Sequence, residues 1–435
     1  MSAARRPHLA ALSGAVAGLA LATLASRDAR AADAAPPPVA IVHARVMLPG
    51  GRAPLEDATL VLAQGKIAAV GRDVRPPPGA ATVDARGKVV TPGLIDADSS
   101  LGVVDVPQEG ETDDTDVRGP ITPALRMVDG YNARSAVVPV TRRGGVTSVV
   151  VAPHSGVLAG QGAFVDLAGD TLDEAVARPV IAQYARVDED TTQGAAGTRG
   201  AVWLWLRDVL GDARFYGAHR AAYDANASRA LSTSRAGLES LQPVLRGEEP
   251  LVIAVHRASD IEAALRFCDE QKVKPILEGA SEAWMVADEL ARRRVPVIVD
   301  PLEDLPVRFD RLHARSDNAA LLSRAGVPVI LATFSSHQGR LLWQRAGNAV
   351  RLGMDHDAAL RAVTETPAEA FGMKGYGRLE PGAIANVVVW SGDPLETGTH
   401  VERVFVRGRE EPLETRQTLL LRRYRTLPVL RDGTR

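Results

Sequence analysis

The chain has 435 residues, 46% of them apolar and 24% charged, which is ample material for a large buried core and excludes a disordered or fibrous protein. A net charge of -2 excludes the broad positive field that a nucleic-acid-binding protein needs. Cys268 is the only cysteine, so no intramolecular disulfide can form and the core alone must hold the fold.

In chain order, Arg5 and Arg6 precede an apolar run from Leu9 to Ala25, followed by Ala29-Arg30-Ala31. A charged start, a short apolar stretch and small residues before Ala32 form a signal-peptide pattern over residues 1–31, so export to the periplasm is expected. The paired arginines leave the export route open between the general and twin-arginine systems. No membrane span is expected in the mature chain.

Residues 39–90 show short β-rich runs, Val39 to Val46, Ala58 to Ala63 and Lys66 to Val70, separated by Gly and Pro turns. The same texture returns over 376–412, with strands at Ala385 to Trp390 and Val401 to Val406, so the two ends are expected to build one small β-sandwich domain together. Residues 91–370 alternate apolar strands with amphipathic helices. Strands are expected at Gly144 to Ala152, Pro250 to His256, Pro275 to Glu278, Pro296 to Val299 and Pro328 to Ala332, and helices at Asp260 to Glu270, Glu282 to Arg293 and Asn318 to Ala325. Strands apolar on both faces imply a parallel sheet covered on both sides, and a closed barrel satisfies that. Asp170 to Arg246 is ambiguous, with a strand candidate at Pro179 to Tyr184 and a helical stretch at Ala201 to Leu210. Residues 413–435 form an Arg- and Leu-rich extension. Cys268 lies on the apolar face of its helix and reads as a small buried hydrophobe, and the acidic run Glu109, Glu111, Asp113, Asp114, Asp116 reads as a solvated loop.

Val90-Thr91-Pro92-Gly93-Leu94-Ile95-Asp96-Ala97 resembles the entry into the first barrel strand of amidohydrolases, and Gly377-Arg378-Leu379-Glu380-Pro381-Gly382-Ala383-Ile384-Ala385-Asn386 through Trp390 resembles their return to the β-domain. Gly144 to Val151, Gly160-Gln161-Gly162, Val255 to Ile261 and Thr366-Pro367-Ala368-Glu369 are similar to the imidazolonepropionase-like, exported branch. The resemblance implies a (β/α)₈ TIM-like barrel with its site at the C-terminal mouth, and a hydrolase of carbon–nitrogen bonds other than peptide bonds in which a metal activates water.

The resemblance also implies where metal ligands stand, and this chain departs from it at most of them. Asp98-Ser99-Ser100 replaces His-x-His after the first strand; His256 at the fifth strand is retained; Glu278-Gly279-Ala280 puts Gly279 in place of a histidine; and Phe334 replaces the acidic residue of the eighth strand. Phenylalanine neither ligates nor moves a proton. None of the five lysines, Lys66, Lys88, Lys272, Lys274 and Lys374, ends a plausible fourth strand, so no lysine carbamate is expected. These substitutions imply a lost metal site, no cofactor, and a non-catalytic homologue that partners an active amidohydrolase or a second copy of itself. Two alternatives stay open. Asp98, His256 and Glu278 would carry a rewired or metal-free catalytic site, with zinc only if His337 turns inward to join them; or the mouth, lined by Ser100, Gly279 and Phe334, would bind a small ligand. His154, after the second strand, is expected to line a loop or pocket.

Overall fold

The computed structural model describes residues 37–115, 119–303 and 305–425; the expected signal segment, Asp116 of the acidic run and the last ten residues of the C-terminal extension lie outside the described residues. Sixteen strands are described: β1 (Val39–Val46), β2 (Leu55–Ala63), β3 (Lys66–Gly71), β4 (Ala81–Asp84), β5 (Val89–Pro92), β6 (Leu94–Ser99), β7 (Val146–Val151), β8 (Leu158–Asp166), β9 (Val176–Arg186), β10 (Leu251–Val255), β11 (Pro275–Gly279), β12 (Val297–Val299), β13 (Val329–Leu331), β14 (Val387–Trp390), β15 (Val401–Val406) and β16 (Arg409–Glu411).

Strands from both chain ends meet in one eight-stranded sheet of order β16-β15-β14-β5-β1-β2-β3, with β4 also paired to β1. Strands from the two ends thus share one connected sheet that branches at β1, and its buried side chains Ile41, Leu60, Ile67, Val90, Val387 and Phe405 form a common core.

The second sheet runs β6-β7-β8-β9-β10-β11-β12-β13 and curls until its edges nearly meet, where the Phe334 N–H donates to the Asp98 carbonyl at 3.1 Å. It departs from an all-parallel (β/α)₈ barrel at one strand. β8 pairs antiparallel with both β7 and β9. The reason is connection length: only residues 152–157 link β7 to β8, too few for the helical crossover that a parallel partner needs. Elsewhere the expected alternation holds, with helices at Arg199–Ala218, Ala258–Gln271, Ala287–Arg293 and Asn318–Arg324 between or after the strands. No helix among the described residues is long and apolar enough to cross a membrane.

Side-chain alternation along the strands decides what reaches the mouth. Val252, Ile276, Ile298 and Ile330 fill the barrel interior together with Phe164, Ala182, Tyr184 and Ala332. Their neighbours Leu251, Ile253, Leu277, Val297 and Val329 join the outer core under the helices. Extending the inward series by two residues gives Arg186 after Tyr184, Glu278 after Ile276 and Phe334 after Ala332, and by four gives His256 after Val252.

Two of the quoted motifs touch at Gly93, where an added Cβ would lie 2.1 Å from the Thr147 hydroxyl oxygen, so the entry to the first barrel strand admits only glycine. Asn386 of the return motif donates to Ser148 and to Asp166 at the opposite end of the barrel from the mouth. Cys268 is buried in its helix, and burial pushes its thiol up to about 12, as expected of an inert packing residue.

Candidate functional site

At the C-terminal mouth, strand ends deliver a cluster of buried charged and polar side chains. Asp98 is wholly buried and its Oδ1 is 2.7 Å from His154 Nε2. Asp98 Oδ2 and Glu278 Oε2 are buried without a hydrogen-bond partner among the described residues, and each carboxyl lies within the other's electrostatic influence. Burial pushes Asp98 up to about 7; burial and then the charge of Asp98 push Glu278 up to about 8. Burial and, at Glu278, the Asp98 charge favour the protonated forms, so ionisation of one carboxyl opposes ionisation of the other.

Arg186 ends β9, the fourth strand of the barrel, where relatives often carry the carboxylated lysine. Its Nη1 lies 3.3 Å from Glu278 Oε1, while Nε and Nη2 hold Asp188 Oδ2 at 3.0 and 2.6 Å. Burial alone pulls this guanidinium's pKa down, but Asp188 and Glu278 more than reverse the effect, so it stays charged. A fixed cation therefore sits among the strand-end carboxylates.

His256 is buried between Ser281 and a second guanidinium. Its Nδ1 is 2.9 Å from Ser281 Oγ and its Nε2 is 2.9 Å from Arg311 Nη2. A guanidinium only donates, so Nε2 accepts and the ring is neutral, with its proton on Nδ1 directed at Ser281. Burial, then the Arg311 charge, push His256 down to about 3, which agrees with that state. The ring also covers the sixth-strand position. Gly279 has φ +78°, and a Cβ there would lie 2.3 Å from His256 Cε1.

Phe334 packs against the apolar barrel interior at φ +50°, an uncommon conformation for a bulky residue, held by its N–H bond to Asp98. Thr333 beside it donates to both carboxyl oxygens of Asp96, at 3.0 Å from its N–H and 2.5 Å from its hydroxyl, and burial pushes Asp96 up to about 7. Ser100, two residues after Asp98, is also buried.

Of the expected site residues, the structure brings Asp98 and Glu278 together and links them through Arg186 to Asp188. His256 stands in a separate hydrogen-bonded group with Ser281 and Arg311. His337 Nε2 lies 3.1 Å from the Asp105 carbonyl, in the loop after the first barrel strand, a contact separate from those of Asp98, His256 and Glu278. Sequence reasoning missed Arg186, Asp188 and Arg311. The first had a signal, two residues beyond the strand candidate Pro179 to Tyr184 and on its inward phase; Arg311 had none, because it arrives from a loop. His154, expected merely to line a pocket, is the partner of Asp98 and keeps a quarter of its side chain exposed. Among the described residues no group of three or more His, Cys, Asp or Glu side chains is arranged to hold a metal ion.

Residues 272–410 match the model of the amidohydrolase family. The chain is 25% identical over 377 residues to amidohydrolase TasK of Hapsidospora irregularis, covering 76% of this chain but only 37% of that much longer protein. An amidohydrolase of Thermotoga maritima MSB8 superposes with a TM-score of 0.78 at 26% identity, over 86% of this chain and 99% of that one. Molinate hydrolase shares the fold, with a TM-score of 0.54 at 17% identity over 92% and 98% of the two chains. The entry and return motifs, the nearly closed barrel and these likenesses agree in supporting the amidohydrolase superfamily for this chain.

Proposed function

We propose that this amidohydrolase-fold chain has exchanged its metal for resident guanidinium groups and acts as a non-catalytic homologue, working through association with another protein chain rather than by hydrolysis. The observation that carries this is the 2.9 Å contact of His256 Nε2 with Arg311 Nη2. A catalytic zinc needs about three protein donors and an open position for water. Here the one retained histidine spends its lone pair on a cation. Asp98 Oδ1 is held by His154 and Glu278 Oε1 by Arg186. The sixth-strand donor is a glycine covered by the His256 ring, and the eighth-strand donor is Phe334. The residues present do not fit a metal.

The raised pKa values of Asp98 and Glu278, about 7 and about 8, favour metal-free acid–base chemistry as a second reading, since two such carboxyls could supply an acid and a base near neutral pH. Against it, a general base must come within hydrogen-bond reach of its substrate, and Asp98 and Glu278 are 0% and 4% exposed.

The test is metal content of protein expressed with added zinc and manganese, combined with turnover of amide, ester and lactone substrates. Metal well below one equivalent and no metal-dependent rate are expected. One tightly held equivalent with turnover that a chelator abolishes would overturn the proposal. Chelator-resistant turnover lost in Glu278→Gln would establish the second reading instead.

A further inference from the structure

The loop after β12 supplies Arg311 to the mouth and carries an apolar strip on its outer side. Val307 is 70% exposed and Phe309 78%, and Leu305 and Leu312 are also more than half exposed. Together these four side chains present roughly 400 Å² of apolar surface, the size of patch that on a soluble protein marks an interaction site. Pro306, Val307, Phe309 and Leu312 line one cleft of about 400 Å³, with Glu189 and Arg308 at its rim.

The strip is held in place from beneath. Asp310 is buried, accepts the Glu189 N–H at 2.8 Å, and donates its own N–H to Glu189 Oε2 at 3.2 Å. Arg311 is fixed by His256 and, at 2.9 Å, by Glu303. Trp284 Nε1 donates to the His313 carbonyl at 3.0 Å. A backbone tied at this many points cannot fold its apolar side chains inward, so they stay in water unless another surface covers them.

We propose that this strip is a two-fold interface with a second copy of the same chain, which gives the association invoked under the proposed function its partner and rests on that reading. Charge favours a copy over a partner of one sign. The rim carries Arg308 beside Glu189 and Asp190, with Arg308 already paired to Asp190 within the chain. A two-fold operation brings each patch onto itself, so it needs both signs within the patch, and that is what the rim offers. Phe309 of each copy would cover the other's cleft, and an apolar contact of roughly 400 Å² per partner, about half that of a standard interface, fits a dimer that forms in a concentration-dependent way.

The test is the mass of the full chain in solution, by sedimentation velocity over a concentration series reaching tens of micromolar, for wild type, Val307→Asp and Phe309→Asp. A wild-type dimer is expected, shifted to monomer by at least ten-fold in dissociation constant in each variant, with circular dichroism unchanged because both side chains point outward. A monomeric wild type, or a dimer indifferent to both substitutions, would overturn the proposal, as would a strip that captures only a different protein. Mass is read independently of metal content and turnover, so failure here leaves the metal result standing and the reverse also holds.

Discussion

The ring of His256 lies over the α-carbon of Gly279, so close that a Cβ at Gly279 would be 2.3 Å from His256 Cε1. The position of the His256 ring and the residue type at 279 are therefore sterically coupled. Once His256 turns toward Arg311 and Ser281, its ring occupies the space that a sixth-strand side chain would need, and the left-handed φ of +78° reserves the position for glycine.

Gly279→His, which restores the residue type of relatives, is expected to destabilise the protein by about 3 kcal/mol through overpacking and backbone strain. Gly279→Ala should lose about 2 kcal/mol by the same causes. Urea titration of both variants checks this. Stability equal to wild type would mean that the His256 ring is free to move.

Arg186→Met removes the cation that faces Glu278 and Asp188 and leaves buried carboxylates uncompensated. A loss of about 3–5 kcal/mol is expected, as for breaking a buried ion pair from one side. Arg186→Lys should recover part of it, because a point charge replaces the fork that grips Asp188 at 3.0 and 2.6 Å. Denaturation midpoints at pH 7 distinguish the two.

Arg311→Met frees His256 Nε2. The pKa of His256, about 3 in the intact protein, should rise by at least one unit, because the charge that helps depress it is gone while burial remains. Imidazole carbon shifts followed by NMR through the acid range read this directly, and an unmoved titration would show burial acting alone.

Stability should fall on the alkaline side. Asp96, Asp98 and Glu278 have folded pKa values near 7, 7 and 8, above their ordinary carboxyl values, so the stability they contribute is complete below about pH 4 and is lost as the pH rises through 7 to 8. His154 and His256 are depressed to about 4 and 3, so their contribution is complete above about pH 6.5 and is lost as the pH falls. Between pH 4 and 6.5 the two histidines offset most of the slope of the three carboxyls. Above 6.5 only the carboxyls change, and a loss on the order of 2–3 kcal/mol by pH 9 is expected. Thermal denaturation at a series of pH values checks it, and Glu278→Gln should flatten the alkaline limb.

Which parts were legible in the sequence follows from how local each determinant is. Strand and helix positions rest on apolar periodicity within a few residues, so the barrel strands that hold Ile253 and Ile276 and the helix containing Cys268 stand where the pattern put them. Motifs such as Thr91-Pro92-Gly93 are legible for a related reason: Gly93 is required by a close contact with Thr147 that the pairing of the first two barrel strands imposes. The substitutions at Asp98, Ser100, Gly279 and Phe334 could likewise be read against the superfamily pattern.

Only the tertiary structure decided which charged groups gather at the strand ends. Arg186 and Arg311 come from a strand end and a distant loop, and no periodicity relates them to Glu278 or His256. The antiparallel run of β8 and the raised pKa of Glu278 beside Asp98 depend likewise on which backbones and carboxyls the nearly closed barrel brings near one another. Burial makes such encounters energetically large, because a charge removed from water must find its partner wherever the fold has put one.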